Sequence, residues 1–214
     1  MLDGRLPFKA FSASTSQSQI LLRIFGVLSI QSQFNGKDQW DCRRPSVDGA
    51  GTGAFTRSKA EQKIYLYTAC YKYGGGGSTD RLQGIAVMEK GIVVRNVFPL
   101  NDKFQGYSLA VTPDLNQDGV NEIMTTNGYA HMGQEASFNM IFTTTPGGVQ
   151  PVKGLDGNTG SCSSGRPDAS DEAVVYWVKP GKEPQFFSEV YTRGCGEGEG
   201  AGSFRLLTTL KVIR

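Results

Sequence analysis

The residues best equipped for chemistry lie in one run, Asp114-Leu115-Asn116-Gln117-Asp118-Gly119-Val120-Asn121-Glu122. Oxygen-bearing side chains occupy its positions 1, 3, 5 and 9, and a glycine occupies position 6. A hard cation such as Ca²⁺ takes six to eight oxygen ligands at about 2.3–2.6 Å, which alternate residues of a tightly curled loop can supply. Gly119 permits the sharp turn, and the backbone carbonyl of Val120 offers a further ligand. Asp114, Asn116, Asp118, Val120 and Glu122 are therefore the candidate metal ligands. Ca²⁺ is expected over Mg²⁺ because the ligands are protein oxygens on a flexible loop, whereas Mg²⁺ keeps several waters.

The elements that must position this loop are strands. Tyr107–Thr112 has larger apolar residues at every second place, and Ile123–Thr126 after the loop is also strand-like, closing on the turn pair Asn127-Gly128. Period-two alternation of this kind predicts strands on both sides. A helical EF-hand would carry a bidentate Glu at position 12, where this chain has Thr125. A lead-in of Phe104–Val111, then D-x-N-x-D-G-x-x-[DE], then an apolar strand resembles the FG-GAP and VCBS repeats of integrin-type β-propellers and many secreted bacterial proteins. The close match spans roughly residues 104–140. Glu122 departs from the commoner Asp, and the chain has one such loop. The resemblance implies an all-β fold, secretion, structural Ca²⁺ and an adhesive or ligand-presenting role.

The rest of the chain agrees with an all-β class. Its 214 residues can hold one sizeable domain, and its 28 glycines with short apolar runs point to short strands and frequent turns. Strands are expected at Lys63–Tyr71, Phe138–Phe142 and Phe204–Ile213, with hairpins at Gln83–Arg95, turning near Glu89–Gly91, and at Ala173–Val178/Phe186–Thr192. Gly154–Ser170 and Gly194–Gly200 read as polar, turn-rich loops, and Gly74–Gly77 as a flexible connection, since no phosphate-binding pattern accompanies it. Residues 1–36 form a poorly defined N-terminal segment, and 37–214 a single β domain. The apolar run Ile20–Ile30 is too short to span a membrane and is interrupted by Arg23. Three hairpin units, about 53–98, 104–152 and 173–214, suit a small or incomplete β-propeller built of antiparallel blades. A β-sandwich carrying one calcium loop is the alternative.

Cys42, Cys70, Cys162 and Cys195 are even in number and lack any C-x-x-C spacing, which points to two disulfides in an oxidising compartment rather than to zinc. Cys42–Cys70 with Cys162–Cys195 is the local pairing among three, and connectivity stays open at this stage. A net charge of +2 without a dense Lys/Arg stripe argues against a nucleic-acid partner. Secreted, periplasmic or cell-surface location is the expectation, although the chain carries no convincing signal peptide.

His131 is the sole histidine, close in sequence to the metal loop, and no G-x-S-x-G elbow accompanies it. No catalytic residue is assigned. Trp177 and Tyr191, on the two arms of one hairpin, suit packing, whereas Tyr71, Tyr73, Tyr129 and His131 are the candidate ligand contacts. The expected function is a non-enzymatic, calcium-stabilised module that binds an extracellular protein or glycan. The alternatives are a calcium-dependent glycan hydrolase or lyase, and an oligomer or larger adhesin in which another chain supplies missing blades.

Overall fold

The computed structural model describes residues 2–3, 21, 24, 39–73, 79–164, 169–195 and 203–213. The expectations placed on Gly74–Gly77, on Gly196–Gly200 and on most of residues 1–36 lie outside the described residues. The strands in chain order begin with β1 (Leu2–Asp3), β2 (Trp40–Asp41), β3 (Ser46–Gly53), β4 (Gln62–Tyr73), β5 (Thr79–Glu89), β6 (Ile92–Val97) and β7 (Ser108–Val111). They continue as β8 (Ile123–His131), β9 (Gln134–Thr145), β10 (Gly148–Gly160), β11 (Ser170–Lys179), β12 (Gln185–Gly194) and β13 (Arg205–Ile213).

Two antiparallel sheets result. The smaller runs β2-β4-β5-β6, with β3 also paired to β4. The larger is a meander from β7 to β13 in sequence order, with β1 added on β11. The all-β class therefore holds, and the two-sheet alternative describes the molecule. The strands of the second and third expected units belong to one continuous sheet rather than to separate blades.

β4 explains why the sheets stack. Its apolar run Ile64–Cys70 is almost unbroken, the pattern of a strand covered on both faces. Ile64 and Leu66 face Ile85, Val87, Ile123 and Phe142, so this core joins both sheets. Tyr65, Tyr67 and Ala69 face the other way and pack with Leu21, Ile24, Cys42 and Met88. β9 is used in the same manner. Phe142 enters the shared core, while Ile141 packs with Leu115, Leu155, Tyr176 and Phe186. Each such fully buried side chain contributes roughly 1.5–3 kcal/mol relative to exposure.

The glycines of β3 let the sheets approach. A Cβ on Gly51 would stand 2.2 Å from Val111 Cγ2 on β7. Nearby, Arg95 of β6 reaches across to β9, donating from Nη1 to the Thr144 carbonyl at 2.8 Å and to Thr144 Oγ1 at 2.9 Å. Burial lowers the Arg95 pKa from its ordinary value, which is the expected penalty on a guanidinium held by neutral oxygens.

Both disulfides form, Cys42–Cys70 beside β2 and β4, and Cys162–Cys195 across the ends of β10 and β12. The local pairing is thus the observed one. Two expectations change: Asn127-Gly128 is not a turn but lies within β8, which runs on to a turn at Met132-Gly133, and Gly154–Gly160 is not loop but the second half of β10. Its polar, glycine-rich composition hides a strand whose pairing with β9 breaks register between Pro151 and Lys153 and between Asp156 and Thr159. Trp177 pairs with Phe187, and Tyr191 pairs with Ala173, so the two aromatics of that hairpin are not partners across the ladder.

Candidate functional site

The Asp114–Glu122 loop joins β7 to β8, which pair from Val111↔Ile123 at the loop to Ser108↔Thr126 at the far end. Its curl is held by its own acids. Asp114 Oδ1 accepts from Asp118 N at 3.1 Å and Oδ2 from Gly119 N at 2.8 Å. Asn116 Oδ1 also accepts from Asp118 N, at 3.0 Å, and Asp118 Oδ1 accepts from Val120 N at 2.9 Å. Gln117 has φ 61° and Gly119 φ 92°, both in the left-handed region. At Gly119 a Cβ would also stand 2.8 Å from Ser58 Cβ, so conformation and space both require glycine.

Glu122 is the distinctive member. It has no solvent exposure. Its Oε2 accepts from Leu115 N at 2.7 Å, whereas Oε1 has no hydrogen-bond partner among the described residues. Burial pushes its pKa up, backbone N–H groups oppose that shift, and the charge of Asp114 adds to it. A buried carboxylate oxygen without a donor, beside a second carboxylate, suits a cation. The oxygens of Asp114, Asp118 and Glu122 do not all lie within 4.8 Å of one another. A carboxylate offers about four lone-pair sites, so acceptance of N–H bonds by Asp114 and Asp118 leaves capacity for an ion. The donor set of Asp114, Asn116, Asp118, the Val120 carbonyl and Glu122 therefore fits Ca²⁺ in chemistry, as hard oxygen throughout.

Asn121, absent from the expected ligand set, ties this loop to the other sheet. Its Oδ1 accepts from Ala54 N at 2.8 Å, its backbone N donates to Ala54 O at 2.6 Å, and its Nδ2 donates to Thr112 O at 2.9 Å. On the opposite side Gly181 N donates to Leu115 O at 2.9 Å. No sequence signal marks Asn121, because an Asn within an Asx-rich loop looks like any other turn residue. Cys162, Asp171 and Cys195 also gather closely, but both sulfurs are committed to the disulfide and Asp171 pairs with Arg193 at 2.9 Å.

The candidate ligand contacts are dispersed. Tyr129 and His131 are exposed at the β8–β9 tip, the end of β8 remote from the metal loop. Eight residues at about 3.4 Å each put His131 roughly 27 Å along the strand from Ile123, so proximity in sequence does not carry over into space. Tyr71 is half-buried, with its hydroxyl 2.6 Å from Ser46 Oγ. The Tyr73 side chain lies outside the described residues.

A cleft of about 630 Å³ opens instead at the other end of the β7–β8 pair, between the sheets. Trp40, Asp80 and Arg81 from the smaller sheet, Asp102 and Tyr107 from the β6–β7 connection, and Asn127 of β8 line it. Gln83, fully buried, fastens that connection: its Nε2 donates to Gly106 O at 2.8 Å and its Oε1 accepts from Gly106 N at 2.9 Å. Apart from Trp40, which the sequence offers for stacking on a sugar or for the core, these residues escape sequence reading because they come from four separate stretches whose meeting depends on the sheet stacking. No family model matches the chain, and no curated protein matches it.

Proposed function

We infer that the protein is an extracellular, calcium-stabilised β-module with a binding rather than a catalytic role. The observation that carries this reading is the fully buried Glu122, one of whose carboxylate oxygens has no donor, in a loop already curled around Asp114, Asn116 and Asp118. The resemblance of the same loop to FG-GAP and VCBS repeats supports it, and two disulfides suit an oxidising compartment. Asp114, Asn116, Asp118, the Val120 carbonyl and Glu122 would hold the ion. Bound Ca²⁺ would neutralise repulsion among three carboxylates and fasten the β7–β8 connection against Ala54 and Gly181.

A cation that binds only the folded chain stabilises it by RT ln(1 + [Ca]/Kd), about 2.7 kcal/mol at a hundredfold excess over Kd. Extracellular modules commonly bind at about 10⁻⁴–10⁻³ M. Chelated protein is therefore expected to melt at a rising midpoint as Ca²⁺ is titrated into the millimolar range, with a weaker response to Mg²⁺. Glu122→Gln and Asp118→Ala should each abolish the response. A midpoint indifferent to both ions, with no metal in a direct assay, would sink the calcium reading.

A further inference from the structure

We propose that the inter-sheet cleft is a binding site for a neutral oligosaccharide. This names the ligand class of the binding module inferred above and rests on that reading only for the module's role; its chemistry does not depend on the metal loop.

The cleft's volume lies within the roughly 300–1,000 Å³ usual for ligand sites, but its lining is unusual. Such pockets are mostly apolar with a few polar groups, whereas here planar polar groups dominate and two aromatic rings stand among them. Among the described residues no hydrogen bond or ion pair engages the Asp80 carboxylate. Asp102 uses Oδ1 to accept from Gln105 Nε2 at 3.1 Å, and Asn127 uses Oδ1 to accept from Gly128 N at 2.8 Å. Asp102 Oδ2 and Asn127 Nδ2 remain for a ligand. Carboxylate, amide and guanidinium groups are those that pair with adjacent hydroxyls, each of which both donates and accepts. Trp40, partly buried against the core of the smaller sheet, and Tyr107, on the side of its ring away from Arg81, bring aromatic area to the lining for the C–H face of a sugar ring.

Charge narrows the class. Asp80 and Asp102 against Arg81 leave the lining with one net negative charge, which disfavours phosphates, sulfates and uronates. The Arg81 guanidinium lies 5.3 Å from the centroid of the Tyr107 ring, and its positive charge there disfavours an organic cation beside it. A neutral polyol is the chemistry that remains.

The walls are pre-organised, which reduces the entropy lost on binding. Gln83 clamps Gly106 from below and Leu100 N donates to Gln83 O at 2.7 Å. Tyr107 is fixed by donation of its N–H to Thr126 O at 2.9 Å.

The test uses the full chain. An array of neutral oligosaccharides (β-glucan, α-glucan, chitin, mannan and galactan fragments) and of sulfated, sialylated and uronate-containing ones is probed first. Calorimetry follows with the best neutral fragment on wild type, Tyr107→Ala and Asp80→Asn, with a melt of each protein. The expected result is retention of at least one neutral fragment and about a tenfold weaker affinity in each variant, at an unchanged melting midpoint. Retention of acidic glycans alone, of no glycan at protein concentrations near 100 μM (about 5.5 kcal/mol of binding), or binding that both variants keep, overturns the proposal. Because the calcium melt is read without any glycan, failure of that reading and failure of this one are separate results.

Discussion

At the scale of single residues, the metal loop illustrates how much can hang on side chains that are neither ligand nor core. Asn121 makes one side-chain bond to each side of the loop's entrance, to Ala54 N and to Thr112 O. Removing its amide leaves both backbone groups unpaired, at about 1–3 kcal/mol for a buried group left unsatisfied. Asn121→Ala should therefore lower stability by about that amount in urea denaturation, with and without Ca²⁺ alike, in contrast to Asp118→Ala. Glu89 offers a separate test by pH. Hydrogen bonds from Arg57 and Gln62 hold its carboxyl at about 2, below the ordinary 4.5. A lowered folded-state value means that the unfolded chain takes up the proton first as pH falls. The stability from this group is thus complete above about pH 4.5 and lost as pH drops through about 2. The acid limb of a melting profile between pH 6 and 2 should be shallower in Glu89→Gln than in wild type; identical limbs would remove Glu89 from the account.

At the scale of elements, most strands were legible and their partners less so. Lys63–Tyr71, Gln83–Arg95 and Ala173–Thr192 combine β-branched and aromatic residues with turn signals, and they appear as β4, the β5–β6 hairpin and the β11–β12 hairpin. The turn at Glu89–Gly91 is confirmed by positive φ at Lys90 and Gly91. β10 escaped notice because glycine, proline and asparagine are turn residues in isolation, and only pairing with β9 makes them strand. The metal loop could be read because all its oxygens are local. The cleft could not, since it requires β2, β5, β8 and the β6–β7 connection to be brought together. Spacing gave the hairpins their recurrence, but recurrence alone does not say whether successive hairpins separate into blades or fuse into one sheet.

For the whole molecule, the core that contains Ile64, Leu66, Ile123 and Phe142 is shared by both sheets, which predicts that they unfold as one cooperative unit. The chain contains two tryptophans, and each marks a different sheet: Trp40 is in β2 and Trp177 in β11. Trp40→Phe and Trp177→Phe thus convert the protein into two single-reporter forms. Each form's fluorescence transition in denaturant should coincide with its own far-UV circular dichroism. A fluorescence midpoint offset from circular dichroism in either form would mean that the sheets unfold separately and that the shared core is weaker than its composition suggests.

The two disulfides have sequence separations of 28 and 33 residues, and the rings they close, 42–70 and 162–195, neither overlap nor nest. As a chain emerges from an exit channel, Cys70 therefore meets Cys42 while both later cysteines are still unsynthesised. Oxidation in the order of emergence would therefore give the native pairs directly, with no wrong bridge for an isomerase to correct. Full-length chain refolded from the reduced state faces all three pairings at once, a choice that a vectorial route would not pose.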